Sequence, residues 1–315
     1  RPAIQTAFNV PFEKIQEIKP GHALIIKKSG RVSESEFRPA LERKSCSFER
    51  IYFSRGSDAV IYQERKKLGR LLVPAILKQV DNNIKNTVFS YIPNTAEVAF
   101  YGMSDGIEDY VRAHQKQQIK AKGAAITDAE LDEIMSLRPR IEKVPLKDAK
   151  LRTFITQDSD RNEMVSHVYD STYGVVKSDD NLVVIDDSIV RGTTLKQSIL
   201  KILDRLNPKK ILIVSSAPQI RYPDCYGIDM SRMGEFVAFQ AAIALLKERG
   251  MQSTIDSVYQ KCKAQEGILS KEVKNHVKEI YAPFSDQEIS DKIADILKPE
   301  GIKAQVNVIY QTIEN

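Results

Sequence analysis

The sequence has no tryptophan, four histidines and three cysteines among its 315 residues, and no long uninterrupted apolar run. Each shortage excludes something. Cys46, Cys225 and Cys262 are odd in number and far apart, which argues against a disulfide framework and for a reducing compartment, so the cytoplasm is the expected location. The most apolar stretch, Phe236 to Leu246, is interrupted by Gln240. It falls well short of the ~20 residues that a membrane-spanning helix needs, and it reads as a buried helix with no membrane partner. The formal net charge is only +5, with basic and acidic residues mixed along most of the chain; no nucleic-acid footprint stands out, and a small anionic substrate suits the balance at least as well. Internal repeats and low-complexity tracts are also missing. What remains is 42% apolar residues, ordinary for a soluble protein with a substantial core arranged as one large domain or two smaller ones.

The chain opens on Arg1-Pro2 with no charged-then-apolar signal segment, and the expectation is that something preceded it. A Pro20-Gly21 turn, the run Ala23 to Ile26, then Ser29-Gly30 and a second extended run read as a hairpin without its sheet. From Cys46 onward short apolar strands alternate with helical periodicity, the signature of βαβ units and a parallel sheet. Ile51 to Phe53 is a candidate strand, and Leu68, Leu71, Leu72, Ala75 and Ile76 give one face of a helix. Thr87 to Ile92 is a second strand, ending in Pro93-Asn94-Thr95-Ala96, where Asn94 or Thr95 is placed to cap the next helix. Residues 106–150, with few large apolar side chains, read as an exposed insertion or helical arm. Thr153 to Thr156 is a short extended element, Leu182 to Ile185 and Ile211 to Val214 are strands with a helix between them, and mostly helical sequence follows Gly234 up to a last strand at Val306 to Tyr310.

The chemistry concentrates after Leu182. Leu182-Val183-Val184-Ile185 runs straight into Asp186-Asp187, which puts two carboxylates at the carboxyl end of a parallel strand, where open α/β sheets bind ligands. Ser188-Ile189-Val190-Arg191-Gly192-Thr193-Thr194 follows, and Leu195, Ile199, Ile202, Leu203 and Leu206 then mark an amphipathic helix. The loop therefore sits at a helix N-terminus, where unpaired N–H groups and the positive end of the dipole favour a phosphate. Gly192 lets the backbone approach closely, and the threonines offer hydroxyls. Two adjacent carboxylates beside such a cradle call for a sugar diol, a magnesium ion, or both. A ligand with a phosphate, a ribose and a magnesium-bound pyrophosphate satisfies every group. The bland alternative, an acidic strand end followed by a helix cap with no ligand, is the better reading of Asp-Asp alone but not of the whole combination.

The run Val183 to Thr194 resembles the 5-phosphoribosyl 1-pyrophosphate (PRPP) signature of type I phosphoribosyltransferases, in the form typical of the glutamine PRPP amidotransferases, or amidophosphoribosyltransferases. Further likenesses fall in family order: Cys46 to Arg55 with Glu64-Arg65 and Gly69-Arg70; Ile92-Pro93-Asn94-Thr95 at the pyrophosphate loop; Arg152-Thr153-Phe154-Ile155 at the flexible catalytic loop; and Ala217-Pro218-Gln219-Ile220 running to Tyr226-Gly227-Ile228-Asp229. The resemblance implies a type I phosphoribosyltransferase fold over residues 46–315, with a parallel sheet flanked by helices and a helical C-terminal region. Residues 1–45 would be a remnant β-hairpin closing an N-terminal glutaminase domain whose cysteine nucleophile is not in this chain. It implies that ammonia, derived from glutamine in the full-length protein, attacks C1 of PRPP to give 5-phosphoribosylamine for purine synthesis. Asp186 and Asp187 would hold the ribose hydroxyls and Mg²⁺, the metal directly or through water. Asn94 and Thr95 would serve the pyrophosphate, Ser188, Arg191, Gly192, Thr193 and Thr194 the 5-phosphate, and Arg152 the closure of the site. Purine nucleotides as inhibitors and a homo-oligomer are implied too.

Some positions depart from the family. Cys46 and Cys225 fall where two iron–sulfur ligands lie in some members, but the closely spaced C-terminal pair is missing and Cys262 stands alone, so no cluster is expected. Pro93-Asn94-Thr95-Ala96 replaces the usual Pro-Asp-Ser-Gly, removing a carboxylate and a glycine. Ser166-His167-Val168 stands where a lysine usually serves the pyrophosphate; His167 is a possible donor, although a lone histidine is more often structural. Two rival readings follow: a phosphoribosyltransferase with a nucleobase acceptor, and a non-catalytic PRPP-binding regulator.

Overall fold

A computed structural model describes residues 2–42, 46–147, 169–223, 230–269 and 272–315. The chain folds as two compact units, residues 1–62 and 63–315. In the first, β1 (His22–Ile26) and β2 (Val32–Glu36) pair antiparallel with Ile26 opposite Val32, the hairpin that the turn residues announce. Ile51 to Phe53 is not a strand. Glu49–Phe53 is a wide helical turn, because helical spacing is what stacks Phe48 on Tyr52 with ring centroids 5.2 Å apart; β-branched and aromatic content alone does not separate the two states over so short a run.

The second unit is built on a five-stranded sheet in the order β4-β3-β7-β8-β9, formed by β3 (Thr87–Tyr91), β4 (Arg140–Ile141), β7 (Asn181–Asp186), β8 (Lys210–Ser215) and β9 (Gln305–Tyr310). All four pairings are parallel. A separate ribbon pairs β5 (Pro145–Lys147) with β6 (Tyr169–Ser171). Central parallel strands are covered on both faces, so they read as continuous apolar runs, and Leu182 to Ile185 and Ile211 to Val214 are all fully buried. On one face Leu182, Val184, Ile211 and Ile213 join a core completed by the helices Val237–Glu248 and Asp286–Leu297. On the other, Val183, Ile185, Leu212 and Val214 meet Ile76, Ala99, Met103 and Ile107. Each such side chain contributes roughly 1.5–3 kcal/mol of burial, against the entropy of ordering it.

Two sequence readings need correction here. The helix through Leu68 to Ile76 is two helices, Ala59–Leu71 and Val73–Gln79, because Pro74 has no N–H to continue the first but suits the first turn of the second. The buried positions between Leu68 and Ile76 are 69, 72, 73 and 76, while Ala75 is exposed. Residues 106–150 are not simply an exposed insertion: Ile107, Val111 and Val144 are buried, and Arg140 on edge strand β4 bonds the buried Asp180 at 2.5 Å. The long helix Glu97–Lys122 dips one end into the core and carries its basic end outside, so average composition hid the division. Thr153 to Thr156 lies outside the described residues.

Helices Ala59–Leu71 and Glu97–Lys122 meet backbone to backbone. A Cβ on Gly69 would collide with the Ala99 carbonyl oxygen, and one on Gly102 with that of Lys66; neither obstacle is a flexible side-chain end. Gly102→Ala is therefore expected to lower stability by about 1–3 kcal/mol, read as a fall in the urea midpoint at unchanged m value.

Candidate functional site

Asp186 is the last residue of β7, in register with Ser215 of β8, which is itself in register with Tyr310 of β9. The carboxyl ends of these strands thus form one edge, and the chain leaves β7 there as Asp187 and Ser188. Both aspartates are partly buried. The Asp187 N–H donates to Asp186 Oδ1 at 2.9 Å, and Ser188 Oγ donates to Asp187 Oδ1 at 2.6 Å. The Thr95 hydroxyl lies near enough to the Asp187 carboxyl to hold its pKa down against burial. Ser216 Oγ donates to the Asp187 carbonyl at 3.1 Å and the Ser216 N–H to the Asp186 carbonyl at 2.9 Å. The sheet edge therefore brings Asp186, Asp187, Ser188 and Thr95 together.

Burial pushes both carboxyl groups above the ordinary range; for Asp186 the neighbouring Asp187 charge adds to this, whereas Ser188, Thr95 and Arg65 pull Asp187 back. The same field reaches the tyrosines around it. Tyr169 is pushed up to about 12 by burial and then by the two aspartates. The Tyr310 hydroxyl, buried and without a hydrogen-bond partner among the described residues, is raised by burial and by Asp186. Among the described residues no group of three or more His, Cys, Asp or Glu side chains converges to hold a metal. Two carboxylates with unfavourable buried charge do suit magnesium, which takes one or two protein carboxylates and fills its other positions with substrate oxygens and water.

The loop from Ser188 feeds a wide turn at Leu195–Ile199 and the helix Leu200–Asp204. Gly192 has φ +69°, a left-handed backbone that disfavours any side chain, and it packs on the Leu297 side chain. Thr193 and Thr194 are exposed, and the Thr194 side chain does not cap the helix. Arg191 is half-exposed and paired with Glu235 at 2.8 Å, so its guanidinium is engaged beside an open depression of about 420 Å³ lined by Gly192, Thr193, Lys196, Gln240 and Leu297. On the far side of the acid pair, Asn94 is exposed and accepts the Glu97 N–H through its carbonyl at 3.2 Å. Neither Asn94 nor Thr95 caps the following helix, whose N-cap position is Ala96 with no side-chain cap bond. Arg152, His167 and Cys225 lie outside the described residues.

Arg65 was not singled out by its charge, since Glu64-Arg65-Lys66-Lys67 looks like a solvated helix face. The available signal is positional: Arg65 lies on the same stripe as Gly69, Leu72 and Ile76, all buried. Tyr169, Ser216 and Tyr310 carried no local motif; only strand register places them.

The fold is that of the type I phosphoribosyltransferases: a parallel sheet covered on both faces, with an acid pair and a glycine-turned loop at one strand's carboxyl end. More particularly, the chain is a homologue of the amidophosphoribosyltransferases. That of Haemophilus influenzae is 27% identical over 236 residues, 73% of this chain and 41% of the relative. That of Saccharomyces cerevisiae is 24% identical over 317 residues, 94% of this chain and 55% of the relative. The solved glutamine PRPP amidotransferase from B. subtilis, complexed with ADP and GMP, matches 71% of this chain and 42% of its own at a TM-score of 0.50 and 26% identity. The chain thus spans 41% and 55% of the two curated relatives. No protein-family model matches it. Among the described residues no helix is long and apolar enough to cross a membrane.

A carboxyl group with a raised pKa opposes folding once the pH exceeds its unfolded value, because the native state then holds a proton that the unfolded chain has lost, or else carries a charge it disfavours. Asp186→Asn removes that cost. In metal-free buffer the variant is expected to melt above the parent at pH 7.5, with the gap narrowing as the pH falls towards 4 and Asp186 protonates in both states. Equal Tm values at pH 7.5 contradict the raised pKa.

Proposed function

We propose that this chain supplies the phosphoribosyl-transfer part of an amidophosphoribosyltransferase, making 5-phosphoribosylamine and pyrophosphate from PRPP and ammonia. The observation that carries the reading is the acid pair Asp186-Asp187, partly buried at a strand end and followed directly by a glycine-turned loop at a helix N-terminus. Few ligands use all of these at once; a phosphorylated ribose bearing a pyrophosphate does. The homologues' name supplies the acceptor.

The roles follow from where charge develops. Ammonia forms a C–N bond at C1 as the C–O bond to pyrophosphate breaks, and the ammonium product then gives up a proton to solvent. Asp186 and Asp187 face the ribose hydroxyls and offset the positive, oxocarbenium-like character of the ring. The loop from Ser188 to Thr194 binds the 5-phosphate through backbone N–H groups and the Thr193 and Thr194 hydroxyls, which holds C1 at a fixed distance from the acid pair. Asn94 and Thr95 lie where the pyrophosphate is expected, and Arg152 is assigned by the resemblance to the segment that closes over it and excludes water, since hydrolysis competes with ammonia. Magnesium, held by Asp186 and Asp187 directly or through water, would neutralise charge on the pyrophosphate.

In the whole protein we expect glutamine to be the ammonia source, with residues 1–45 closing the glutaminase domain. Purine nucleotides are expected ligands by analogy with the B. subtilis relative solved with ADP and GMP, in a cytoplasmic homo-oligomer.

The test is pyrophosphate release from Mg²⁺-PRPP at high ammonium concentration and mildly alkaline pH. Ammonia-dependent release is expected. Asp186→Ala should lower kcat/KM roughly 10²-fold or more, the scale of losing one preorganised transition-state contact. Thr193→Val should lose roughly tenfold or more, chiefly in KM, for one hydrogen bond to a charged group. Release that requires a purine or pyrimidine base instead of ammonia would assign a nucleobase acceptor. PRPP binding with no release under either condition would make the chain a regulator.

A further inference from the structure

Gly192 has φ +69°, a conformation that glycine reaches without strain but has no intrinsic reason to keep, since it populates others as readily. Backbone N–H groups bind a phosphate only when they are aimed at it, so a loop turned on a glycine has to be restrained by its neighbours. Two restraints are present. The Val237 N–H, at the start of the helix Val237–Glu248, donates to the Val190 carbonyl at 2.9 Å. Further along, Gly192 lies so close to Leu297 that a Cβ added to it would meet the Leu297 Cδ2 methyl.

Leu297 is itself held. It is 1% exposed and ends the helix Asp286–Leu297, whose Ile289, Ile293 and Ala294 lie in the same core. At its start this helix is pinned to the segment after β8: the Gln219 side-chain amide donates to the Asp286 carbonyl and to Ser290 Oγ, each at 2.8 Å, and Arg221 Nη2 donates to Gln219 Oε1 at 2.7 Å. Lys292 ties its middle to Glu248 of the neighbouring helix at 2.5 Å. One helix thus runs from the loop after β8 to the loop after β7, with a buried leucine at the second end.

We propose that Leu297 is a positioning residue for the loop from Ser188 to Thr194: its side chain, fixed by the helix, selects the Gly192 conformer in which the backbone and hydroxyls of Thr193 and Thr194 receive a 5-phosphate. The inference rests on the phosphoribosyl reading. Thr193 and Thr194 are exposed while Leu297 is in the core, so the leucine acts on the ligand through the Gly192 backbone and not by contact.

The test compares Leu297→Ala with Leu246→Ala, which opens a similar space in the same core towards the far end of the helix Val237–Glu248. On the whole chain, calorimetry reads Kd for Mg²⁺-PRPP, ribose 5-phosphate and Mg²⁺-pyrophosphate, steady-state kinetics read KM and kcat, and the urea midpoint reads stability. Both variants are expected to lose stability. Only Leu297→Ala should weaken PRPP and ribose 5-phosphate, each by roughly tenfold, the scale of one hydrogen bond to a charged group. KM for PRPP should rise with it, while kcat and the pyrophosphate Kd stay unchanged. Leu297→Met, which refills most of the space, should recover ribose 5-phosphate binding. Should Leu297→Ala not fold, Leu297→Val against Leu246→Val makes the same comparison. Equal binding losses in the two variants, a loss that extends to pyrophosphate, or a Leu297→Ala that binds like the parent overturns the positioning role and leaves the phosphoribosyl reading intact; a parent chain that does not bind Mg²⁺-PRPP overturns both.

Discussion

Leu182 to Ile185 lie fully buried in β7 with β3 on one side and β8 on the other, and a strand so placed has to be roofed by helices on both faces. That requirement organises the second unit. One roof is made by the helices Val73–Gln79 and Glu97–Lys122, the other by Val237–Glu248 and Asp286–Leu297. The strand ends where the roof ends, and the first residues past its apolar run are Asp186 and Asp187. The acids are thus held at the rim of the core, wet enough to stay reachable and dry enough for burial to raise both pKa values. Their electrostatic cost is offset by the packing of the strand that delivers them.

Where the sequence concentrates local signals, the fold was readable from it. β3, β7, β8 and β9 appear within a residue of their apolar runs, and the hairpin follows from Pro20-Gly21 and Ser29-Gly30. The strand–acid–loop–helix order placed the centre of the candidate site for the same reason: adjacent residues have little freedom to separate. What was not legible depends on distance along the chain. Tyr310 reaches the acid pair's neighbourhood through two strand registers, and Arg65 through a helix crossing that only the Gly69 and Gly102 backbones permit. Ile51 to Phe53 was misread because a short aromatic run suits a strand and a helical stack equally. Residues 106–150 were read correctly as partly helical but wrongly as wholly exposed, because one helix, Glu97–Lys122, has a buried beginning and a solvated end.

The altered loop after β3 illustrates how the site absorbs change. Replacing an acid–hydroxyl–glycine sequence by Asn94-Thr95-Ala96 looks damaging when each residue is judged alone. In the structure the hydroxyl position is the one that lowers the Asp187 pKa, and threonine keeps that hydroxyl. Ala96 has φ −68° and ψ −13° and is fully buried. That is ordinary helical backbone, so nothing there requires glycine, and the methyl group packs where a glycine would leave space. Only Asn94, exposed and bonding through its backbone, represents a true change in what the loop can offer, namely one negative charge fewer beside the expected pyrophosphate.

That lost charge bears on the division of work at the rim. A carboxylate in the Asn94 position would repel a pyrophosphate unless a cation stood between them, whereas an amide neither repels nor requires one. With Asn94 neutral, the negative charge of this edge resides in Asp186 and Asp187, and the latter accepts the Ser188 hydroxyl and has its pKa lowered by Ser188, Thr95 and Arg65. Asp186 is left as the less compensated member, with only the Asp187 N–H on its carboxylate among the described residues. The asymmetry between two neighbouring aspartates is therefore set by what surrounds them and not by the residues themselves.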